Sequence, residues 1–146
     1  MVYIIAILVW GLDRLTKFLI VTNFSLRESR SVLGNLISFT YVHNEGAAFS
    51  ILQGKRIFFI FTTIILIAII LYMYYFVLPK KLITTIIIGT VLGGALGNFY
   101  DRLRFGYVID FIDFHFFPIF NVADIAVVCG TLLLAWQLWI IPEGGK

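Results

Sequence analysis

Charged residues and cysteine are both scarce in this chain of 146 residues. Only 13% of its residues are charged and 61% are hydrophobic, whereas a soluble domain typically has about 25% charged and about 45–50% apolar residues. The mean hydropathy is +1.01. This composition excludes an ordinary soluble domain, because so large an apolar surface has to face lipid. The sequence therefore predicts an integral membrane protein in contact with phospholipids.

The one cysteine, Cys129, lies inside an apolar run and cannot form an internal disulfide bond. We therefore expect lipid and helix packing to hold the fold together, with Cys129 as a small apolar core residue. Val128 precedes it where a lipidation site has a small residue, so the chain is not expected to be a lipoprotein itself. Residues 1–10 are apolar and no small-x-small cleavage site follows them, which predicts a retained helix rather than a signal peptide.

Concentrated basic charge and metal-binding spacings are also missing. The net charge is +3, but the Lys and Arg residues flank the apolar segments instead of forming a stripe, so no nucleic-acid partner is expected. His43 and His115 are isolated, and the sequence has no Cys/His pair or His-x-x-x-His spacing. We therefore predict neither a metal nor another cofactor.

What the chain does contain is four apolar segments. A helix needs about 20 apolar residues to cross a bilayer, and the candidate spans cover residues 2–21, 57–78, 82–100 and 121–141. They predict an all-α membrane bundle of four transmembrane helices with both termini on one side. Residues 23–54 predict a small β-rich lobe on the other side. One domain over residues 1–146 accounts for the chain, and we expect a monomer.

Within this lobe, residues 36–43 alternate in polarity and are rich in β-branched and aromatic side chains. The pattern predicts a strand with Ile37, Phe39 and Tyr41 on one face, followed by a turn at residues 44–46. Residues 47–52 are a second short apolar piece. We expect a small amphipathic sheet that lies on the membrane surface and forms a roof over a site there.

Glycine recurs every four residues in the third span, at Gly89, Gly93 and Gly97. In a helix these positions share one face, which predicts the close approach of a neighbouring helix. Asp101 continues the row one turn later.

Polar residues that are costly in lipid gather at one level of the predicted bundle. A charged residue within a membrane segment costs roughly 2.5–3.5 kcal/mol, so it usually has a function. Nine fall on the side away from the termini: Asp13, Lys17, Asn44, Asn98, Asp101, Arg102, Asp110, Asn121 and Asp124. Asp110 and Asp124 stand at the edges of apolar segments, and two carboxylates that can meet at a membrane surface indicate acid–base chemistry.

Two carboxylates about 4 Å apart repel by roughly 4 kcal/mol at an effective dielectric constant of 20, which corresponds to about three pKa units. One carboxylate therefore holds a proton near neutral pH while the other is ionised. Such a pair can serve as base and acid at the same time, because the ionised group can accept a proton while the protonated group donates one. Because a coupled pair titrates together, the sequence leaves open which aspartate begins as the base.

Five segments, in order, resemble the motifs of lipoprotein signal peptidase (signal peptidase II). They are residues 13–17 (DRLTK), 44–50 (NEGAAFS), 97–102 (GNFYDR), 110–112 (DFI) and 120–124 (FNVAD). The resemblance covers nearly the whole chain and implies an aspartic endopeptidase of the bacterial inner membrane. Such an enzyme cleaves the signal peptide from prolipoproteins, N-terminal to a cysteine that already carries a diacylglyceryl group.

The same resemblance makes Asp110 and Asp124 the catalytic residues. It implies termini in the cytoplasm and a site near the outer surface, so the β-rich lobe is extracytoplasmic, although the raw count of Lys and Arg residues favours the opposite orientation. Substrate-binding or ordering roles then fall on Asp13, Lys17, Asn44, Gly46, Asn98, Asp101, Arg102 and Asn121. The chain departs from the family pattern at Arg14, where Gln is usual, and in a short segment between the two aspartates.

Elementary geometry predicts some of the partners within this set. We expect Asp13 to pair with Lys17 one turn away, Arg102 to form a bidentate contact with a carboxylate, and Asn121 to cap the fourth helix. Asp101 is expected beside a cation.

Other titratable residues are expected to be outside the site. Asp113 is interpreted as a solvated loop carboxylate, and Glu28 has no evident partner in the sequence.

Two further function classes remain open at this point. Carboxylates also relay protons in membrane carriers, but there they lie near the middle of spans, whereas Asp110 and Asp124 flank a loop. A non-catalytic scaffold, in which the aspartates only cap helices, explains one aspartate and leaves the rest of the set unexplained. Proton flux in vesicles would indicate a carrier, and the absence of both flux and proteolysis would indicate a scaffold.

Overall fold

A computed structural model describes residues 1–46 and 54–140 of the chain. Four helices run through this part: α1 (Val2–Asn23), α2 (Arg56–Tyr72), α3 (Leu82–Arg104) and α4 (Val122–Ile140). Three strands accompany them: β1 (Ser29–Leu33), β2 (Ile37–Asn44) and β3 (Val108–Asp113). The protein is therefore mostly helical, with one small sheet.

Three of the helical segments within the described residues are long and apolar enough to cross a membrane: Arg56–Val77, Leu82–Arg104 and Val122–Ile140. They coincide with three of the predicted spans. The first of them ends in a π-helical turn at Met73–Val77, and α3 continues four residues beyond the predicted end at residue 100. The helix α1 has 22 residues but carries three charged residues, Asp13, Arg14 and Lys17, and is not among these segments.

The three strands form one antiparallel sheet in the order β1-β2-β3. The predicted strand at residues 36–43 is confirmed with a shift of one residue, but its regular alternation is not, because an irregularity between Phe39 and Val42 interrupts the register. Sequence reasoning did not predict β1 or β3. The second apolar piece at residues 47–52 lies outside the described residues.

The helix α3 is the centre of the bundle because its glycines allow neighbours on two faces to come close. A Cβ atom on Gly93 would lie 2.5 Å from the carbonyl oxygen of Ala6, and one on Gly97 would lie 2.6 Å from Oδ2 of Asp13. The predicted glycine face therefore packs on α1. On another face, a Cβ atom on Gly94 would lie 2.6 Å from the carbonyl oxygen of Ala123 in α4.

Two apolar clusters hold the elements together at opposite ends. One joins α1, α2 and α3 near the chain's start and is formed by Val2, Ala6, Ile70, Leu78, Ile88, Val91 and Leu92. The other packs the sheet onto the end of α1 through Ile20, Tyr41, Ile109 and Phe111. The second cluster fixes β3, and with it Asp110, above the bundle.

The outer surfaces of the helices are apolar. Residues such as Ile65 on α2 and Leu132 on α4 are more than half exposed. Cys129 is exposed on the same outer surface of α4, so the prediction that it is a core residue is wrong. In a membrane protein an outward-facing apolar position is as suitable for cysteine as a core position, and hydropathy cannot distinguish the two.

Candidate active site

Asp110 is placed by the sheet, in the middle of β3. Its strand pairs with β2 so that Asp110 lies opposite Val42, and its side chain is buried. Oδ2 accepts a hydrogen bond from Nδ2 of Asn44 at 2.8 Å, and Oδ1 accepts one from Nδ2 of Asn121 at 2.6 Å. Both carboxylate oxygens are thus held by amide donors from two different elements.

Asp124 is placed by the start of α4, where it and Asn121 cap each other. Oδ1 of Asn121 accepts from the backbone N–H of Asp124 at 2.9 Å, and Oδ2 of Asp124 accepts from the backbone N–H of Asn121 at 3.1 Å. This reciprocal pattern is a capping box, which satisfies two donors that a helix start leaves without partners. The prediction that Asn121 caps the fourth helix is confirmed. Because the side-chain amide of Asn121 also binds Asp110, one residue connects the two aspartates.

Asn98 approaches Asp124 from α3. Its Nδ2 donates to Oδ1 of Asp124 at 2.6 Å, while its Oδ1 accepts from Nζ of Lys17 at 3.0 Å and from Nδ2 of Asn121 at 3.1 Å. Asn98 therefore joins the charges of α1 to the aspartate on α4.

A buried group of four charges lies directly behind Asn98. Nζ of Lys17 is 3.1 Å from Oδ2 of Asp13 and 2.7 Å from Oδ2 of Asp101. Arg14 contacts the same two carboxylates, at 2.8 Å and 2.6 Å respectively. The predicted pair of Asp13 with Lys17 and the predicted cation beside Asp101 are both confirmed. Two cations balance two carboxylates, which lowers the cost of burying them.

This charge group also anchors neighbouring backbone. Oδ1 of Asp13 accepts from the N–H of Ala123 in the first turn of α4 at 3.1 Å, and Oδ2 of Asp101 accepts from the N–H of Ile109 in β3 at 3.3 Å. The residues just before Asp110 and Asp124 are therefore tied to the same cluster.

Among the described residues, Arg102 does not form the carboxylate contact that was predicted for it. It donates from Nη2 to the carbonyl oxygen of Gly46 at 3.4 Å and lies over the ring of Phe59. Gly46 in turn donates its N–H to Oδ1 of Asn44 at 3.0 Å. Arg102 therefore supports the turn after β2, while its charge still acts on the nearby Asp124 and Asp110.

Asp110 and Asp124 open onto one cavity of about 290 Å³. Polar lining comes from the residues just described. The rest of the lining is apolar and includes residues from the loop between β3 and α4, namely Phe117, Pro118, Ile119 and Phe120. A cavity lined both by two carboxylates and by apolar side chains suits a substrate that is partly lipid-like.

The electrostatics of the cavity favour one shared proton. Burial and, after it, the charge of Asp124 together raise the pKa of Asp110 from 3.8 to about 7, against the opposing effect of the amide hydrogen bonds from Asn44 and Asn121. An aspartate in this condition can donate a proton near neutral pH. In the described part of the chain no three His, Cys, Asp or Glu residues are arranged to hold a metal ion.

Comparison with known proteins identifies the family. A family model described as signal peptidase (SPase) II matches residues 5–140. The chain belongs to the signal peptidase II family. Membership makes it a peptidase, and an aspartic mechanism is consistent with the family.

Signal peptidase II relatives match over almost their full length. The chain is 45% identical over 141 residues to the lipoprotein signal peptidase of Moorella thermoacetica, covering 97% of this chain and 93% of that protein. It is 43% identical over 139 residues to the one of Halothermothrix orenii, covering 95% of each. A solved structure described as a bacterial membrane enzyme superposes with a TM-score of 0.90 at 34% identity and covers 99% of this chain and 93% of that chain. The family resemblance read from the five motifs is confirmed.

Sequence reasoning misjudged three residues around this signal peptidase II site. Arg14 was noted only as a departure from the family pattern, whereas it holds two buried carboxylates. Asp113 was expected in a solvated loop, but it ends β3 and accepts from Oγ1 of Thr40 at 2.8 Å. Glu28 was expected without a partner, but Arg30 lies 2.7 Å from it. The contacts of Arg14 with Asp101 and of Asp113 with Thr40 come from helix packing and from the sheet, which single-sequence patterns do not contain. Arg30, in contrast, is only two residues from Glu28, so that pair was local in the sequence and was overlooked.

Proposed function

We propose that Asp110 and Asp124 are the catalytic pair of an aspartic endopeptidase that cleaves the signal peptide from diacylglyceryl-modified prolipoproteins, N-terminal to the lipidated cysteine. One observation carries the assignment: the two carboxylates share a cavity and are joined through the amide of Asn121. A helix cap alone would explain Asp124 and leaves a buried aspartate in the middle of a strand unexplained.

The proposed reaction uses the pair as acid and base. Asp110 carries the proton, because burial and the neighbouring charge raise its pKa to about 7. Asp124 accepts from Asn98 and from a backbone N–H at the positive end of α4, and these hydrogen bonds favour its anion. Asp124 takes a proton from the attacking water while Asp110 donates to the carbonyl oxygen, and the roles reverse as the amine leaves.

The surrounding residues divide into two groups. Asn44, Asn98 and Asn121 orient the carboxylates through direct hydrogen bonds. Arg102 and Gly46 line the cavity and are placed to contact the substrate backbone.

The charged residues behind the site act indirectly, by holding the backbone segments that carry the two aspartates. Asp13, Lys17 and Asp101 are buried at 0%, 1% and 0% exposure, respectively, so they are positioning residues without direct contact with the substrate. Their backbone contacts at Ala123 and Ile109 fix the elements that carry the two aspartates.

We infer that α1 is a fourth transmembrane span. Its charged residues turn inward onto α3, where Asp13 and Lys17 are buried and paired. Its outward face is apolar, with Ile4, Leu8 and Leu15 more than half exposed. The three charged residues keep α1 out of the segments that composition marks as spans, but the surface that α1 turns outward is that of a spanning helix.

Four spans in one domain put both termini on the same side of the bacterial inner membrane. The proposed orientation has the termini in the cytoplasm, with the sheet, the charge group and the cavity near the outer surface. A prolipoprotein reaches this site laterally, because its signal peptide lies in the bilayer and its acyl chains anchor the cysteine at the surface. The predicted roof over the site remains a prediction, since residues 47–53 lie outside the described part. We propose that the enzyme acts as a monomer without a cofactor.

The direct test is a gel shift with purified protein. A prolipoprotein that carries a diacylglyceryl group is incubated with the protein beside the unmodified precursor and the Asp124→Asn variant. We expect the unmutated protein to cleave the lipidated precursor but not the unmodified one, and the Asp124→Asn variant to cleave neither. Proton flux in vesicles without any cleavage would replace this proposal with a carrier.

A further inference from the structure

A second, smaller depression adjoins the proposed catalytic cavity on the outside of α4. Its volume is about 220 Å³, and six of the described residues line it: Phe117, Phe120, Asp124, Ile125, Val128 and Cys129. Phe117, Phe120, Asp124 and Val128 also line the catalytic cavity. The two spaces are therefore neighbours, and Asp124 is one of the residues at their shared border.

Helical periodicity explains the floor of this groove. Asp124 and Val128 are one turn apart on α4, and so are Ile125 and Cys129, so the four positions form a stripe that runs from the proposed catalytic aspartate along the helix. Ile125 and Val128 are 42% and 56% exposed, and Cys129 is exposed. Only Asp124 among the lining residues is polar, and it stands at the end that meets the catalytic cavity.

The loop between β3 and α4 forms the wall of the groove. The rings of Phe117 and Phe120 lie 6.0 Å apart in an edge-to-face arrangement, and Phe120 is fixed by a backbone bridge to Ile112 of β3. The groove is thus bounded by a helix on one side and by aromatic rings held to the sheet on the other. It faces the direction in which α4 presents its apolar surface to lipid.

We propose that this groove binds an acyl chain of the substrate's diacylglyceryl group. This inference rests on the proposed function, because a lipidated cysteine directly follows the bond that is cut. When the carbonyl before that cysteine lies at Asp110 and Asp124, the thioether and glyceryl group start a few bonds away and have to leave the polar site. The groove is an apolar route that begins at Asp124 and leads along α4 into the bilayer.

The groove also gives a physical reason for selecting lipidated substrates. An acyl chain that fills it covers exposed side chains and contributes binding free energy in proportion to the apolar area removed from water. An unmodified cysteine leaves the groove empty and gains none of this energy. Selectivity should therefore depend on chain length, and filling the groove with protein atoms should remove that dependence.

The test is the pair of variants Ile125→Trp and Ile65→Trp. The first substitution fills the groove, and the second makes the same change on α2 at a position that is 56% exposed. Each protein is assayed with precursors whose diacylglyceryl group carries either long palmitoyl chains or short hexanoyl chains. We expect Ile125→Trp to lower kcat/KM for the long-chain precursor by about tenfold, which corresponds to about 1.4 kcal/mol, with much less effect on the short-chain precursor. Ile65→Trp should leave the ratio of the two substrates unchanged.

A second measurement does not depend on cleavage. A long-chain precursor with a photoactivatable diazirine in the acyl chain is bound to the unmutated protein, irradiated, and the adduct mapped by mass spectrometry. We expect adducts between residues 117 and 129. The proposal that this groove binds an acyl chain would be refuted by adducts confined to α2. It would also be refuted if Ile125→Trp lost the same fraction of its activity on both substrates. If the unmutated protein binds and crosslinks the precursor in the groove but cleaves neither substrate, the proposed function fails and the binding site stands.

Discussion

Nζ of Lys17 lies 3.0 Å from Oδ1 of Asn98, and this contact decides which end of the Asn98 amide faces Asp124. A lysine ammonium can only donate hydrogen bonds, so the oxygen of the amide has to face it. The nitrogen of Asn98 is then left to donate to Asp124, at 2.6 Å. A buried cation on α1 thus acts on the proposed catalytic aspartate on α4 through one amide on α3.

Replacement of either proposed catalytic aspartate should abolish cleavage. In Asp110→Asn or Asp124→Asn one member of the acid–base pair can no longer exchange a proton, and we expect turnover to fall by at least about a thousandfold. The assay is cleavage of a lipidated precursor, with membrane insertion and thermal unfolding of each variant as controls for folding. Substantial turnover by either variant would refute the aspartic mechanism.

Activity should fall as the pH rises through about 7, because Asp110 then loses the proton that it donates. Its pKa is raised from 3.8 to about 7, first by burial and then by the charge of Asp124. The measurement is kcat/KM against pH for the lipidated precursor. An activity that stays constant well above pH 7 would contradict the assignment of Asp110 as the acid.

The same pKa shift predicts how stability depends on pH. Between about pH 4 and pH 7 the folded protein keeps a proton on Asp110 that the unfolded chain has lost, so the free energy of unfolding decreases as the pH rises through this window. The contribution of Asp110 is at most about 4 kcal/mol, since one pKa unit corresponds to about 1.4 kcal/mol. Thermal unfolding in detergent at several pH values should show a smaller decrease in Asp110→Asn than in the unmutated protein.

Lys17→Met should be strongly destabilising, because it leaves Asp13 and Asp101 buried with one cation instead of two. Loss of one partner of a buried ion pair typically costs about 3–5 kcal/mol. Lys81→Met, at an exposed lysine, is the matched control and should change stability by less than about 0.5 kcal/mol. Equal unfolding temperatures for the two variants would show that the charge group is not stabilising.

Arg14 should contribute to stability through its contact with Asp101. Arg14→Gln removes a cation and its hydrogen bonds to two buried carboxylates, and we expect a cost of about 1–3 kcal/mol. A double-mutant cycle with Asp101→Asn separates this contact from the general effect of the substitution. A coupling energy near zero would mean that the contact between Arg14 and Asp101 has no energetic importance.

Gly93→Ala should separate α1 from α3, because the new methyl group would lie 2.5 Å from a backbone oxygen of Ala6 that cannot move independently. Gly11→Ala is the control, since its Cβ atom would meet no atom of the described residues within 4 Å. We expect the control to be slightly stabilised, by about 0.5–1 kcal/mol, as is usual when alanine replaces glycine in a helix. The two unfolding temperatures should move in opposite directions.

Much of the helical framework could be predicted, because a helix that crosses a bilayer needs a continuous segment of about 20 apolar residues. Long apolar segments located α2, α3 and α4, and the four-residue spacing of glycines predicted the face of α3 that packs on α1. The strands were harder, since β1 and β3 are short and pair with residues distant in sequence. Cys129 was wrongly assigned to the core, because an apolar residue is suitable both in the core and on the lipid-facing surface, and hydropathy does not distinguish the two positions.

The sequence by itself determined that the chain belongs in a membrane and which polar residues are unusual there. These residues are informative because a charge in an apolar segment costs free energy and is therefore seldom present without a function. It also placed Asp110 and Asp124 at one level, since alternating spans bring segment ends together. Only the tertiary structure decided the partners: Asn121 between the two aspartates, Lys17 behind Asn98, and Arg14 on two carboxylates. Hydrogen bonds and ion pairs act over a few ångströms, and distances of that size between α1, α3, β3 and α4 are set by packing, which no local pattern in the sequence records.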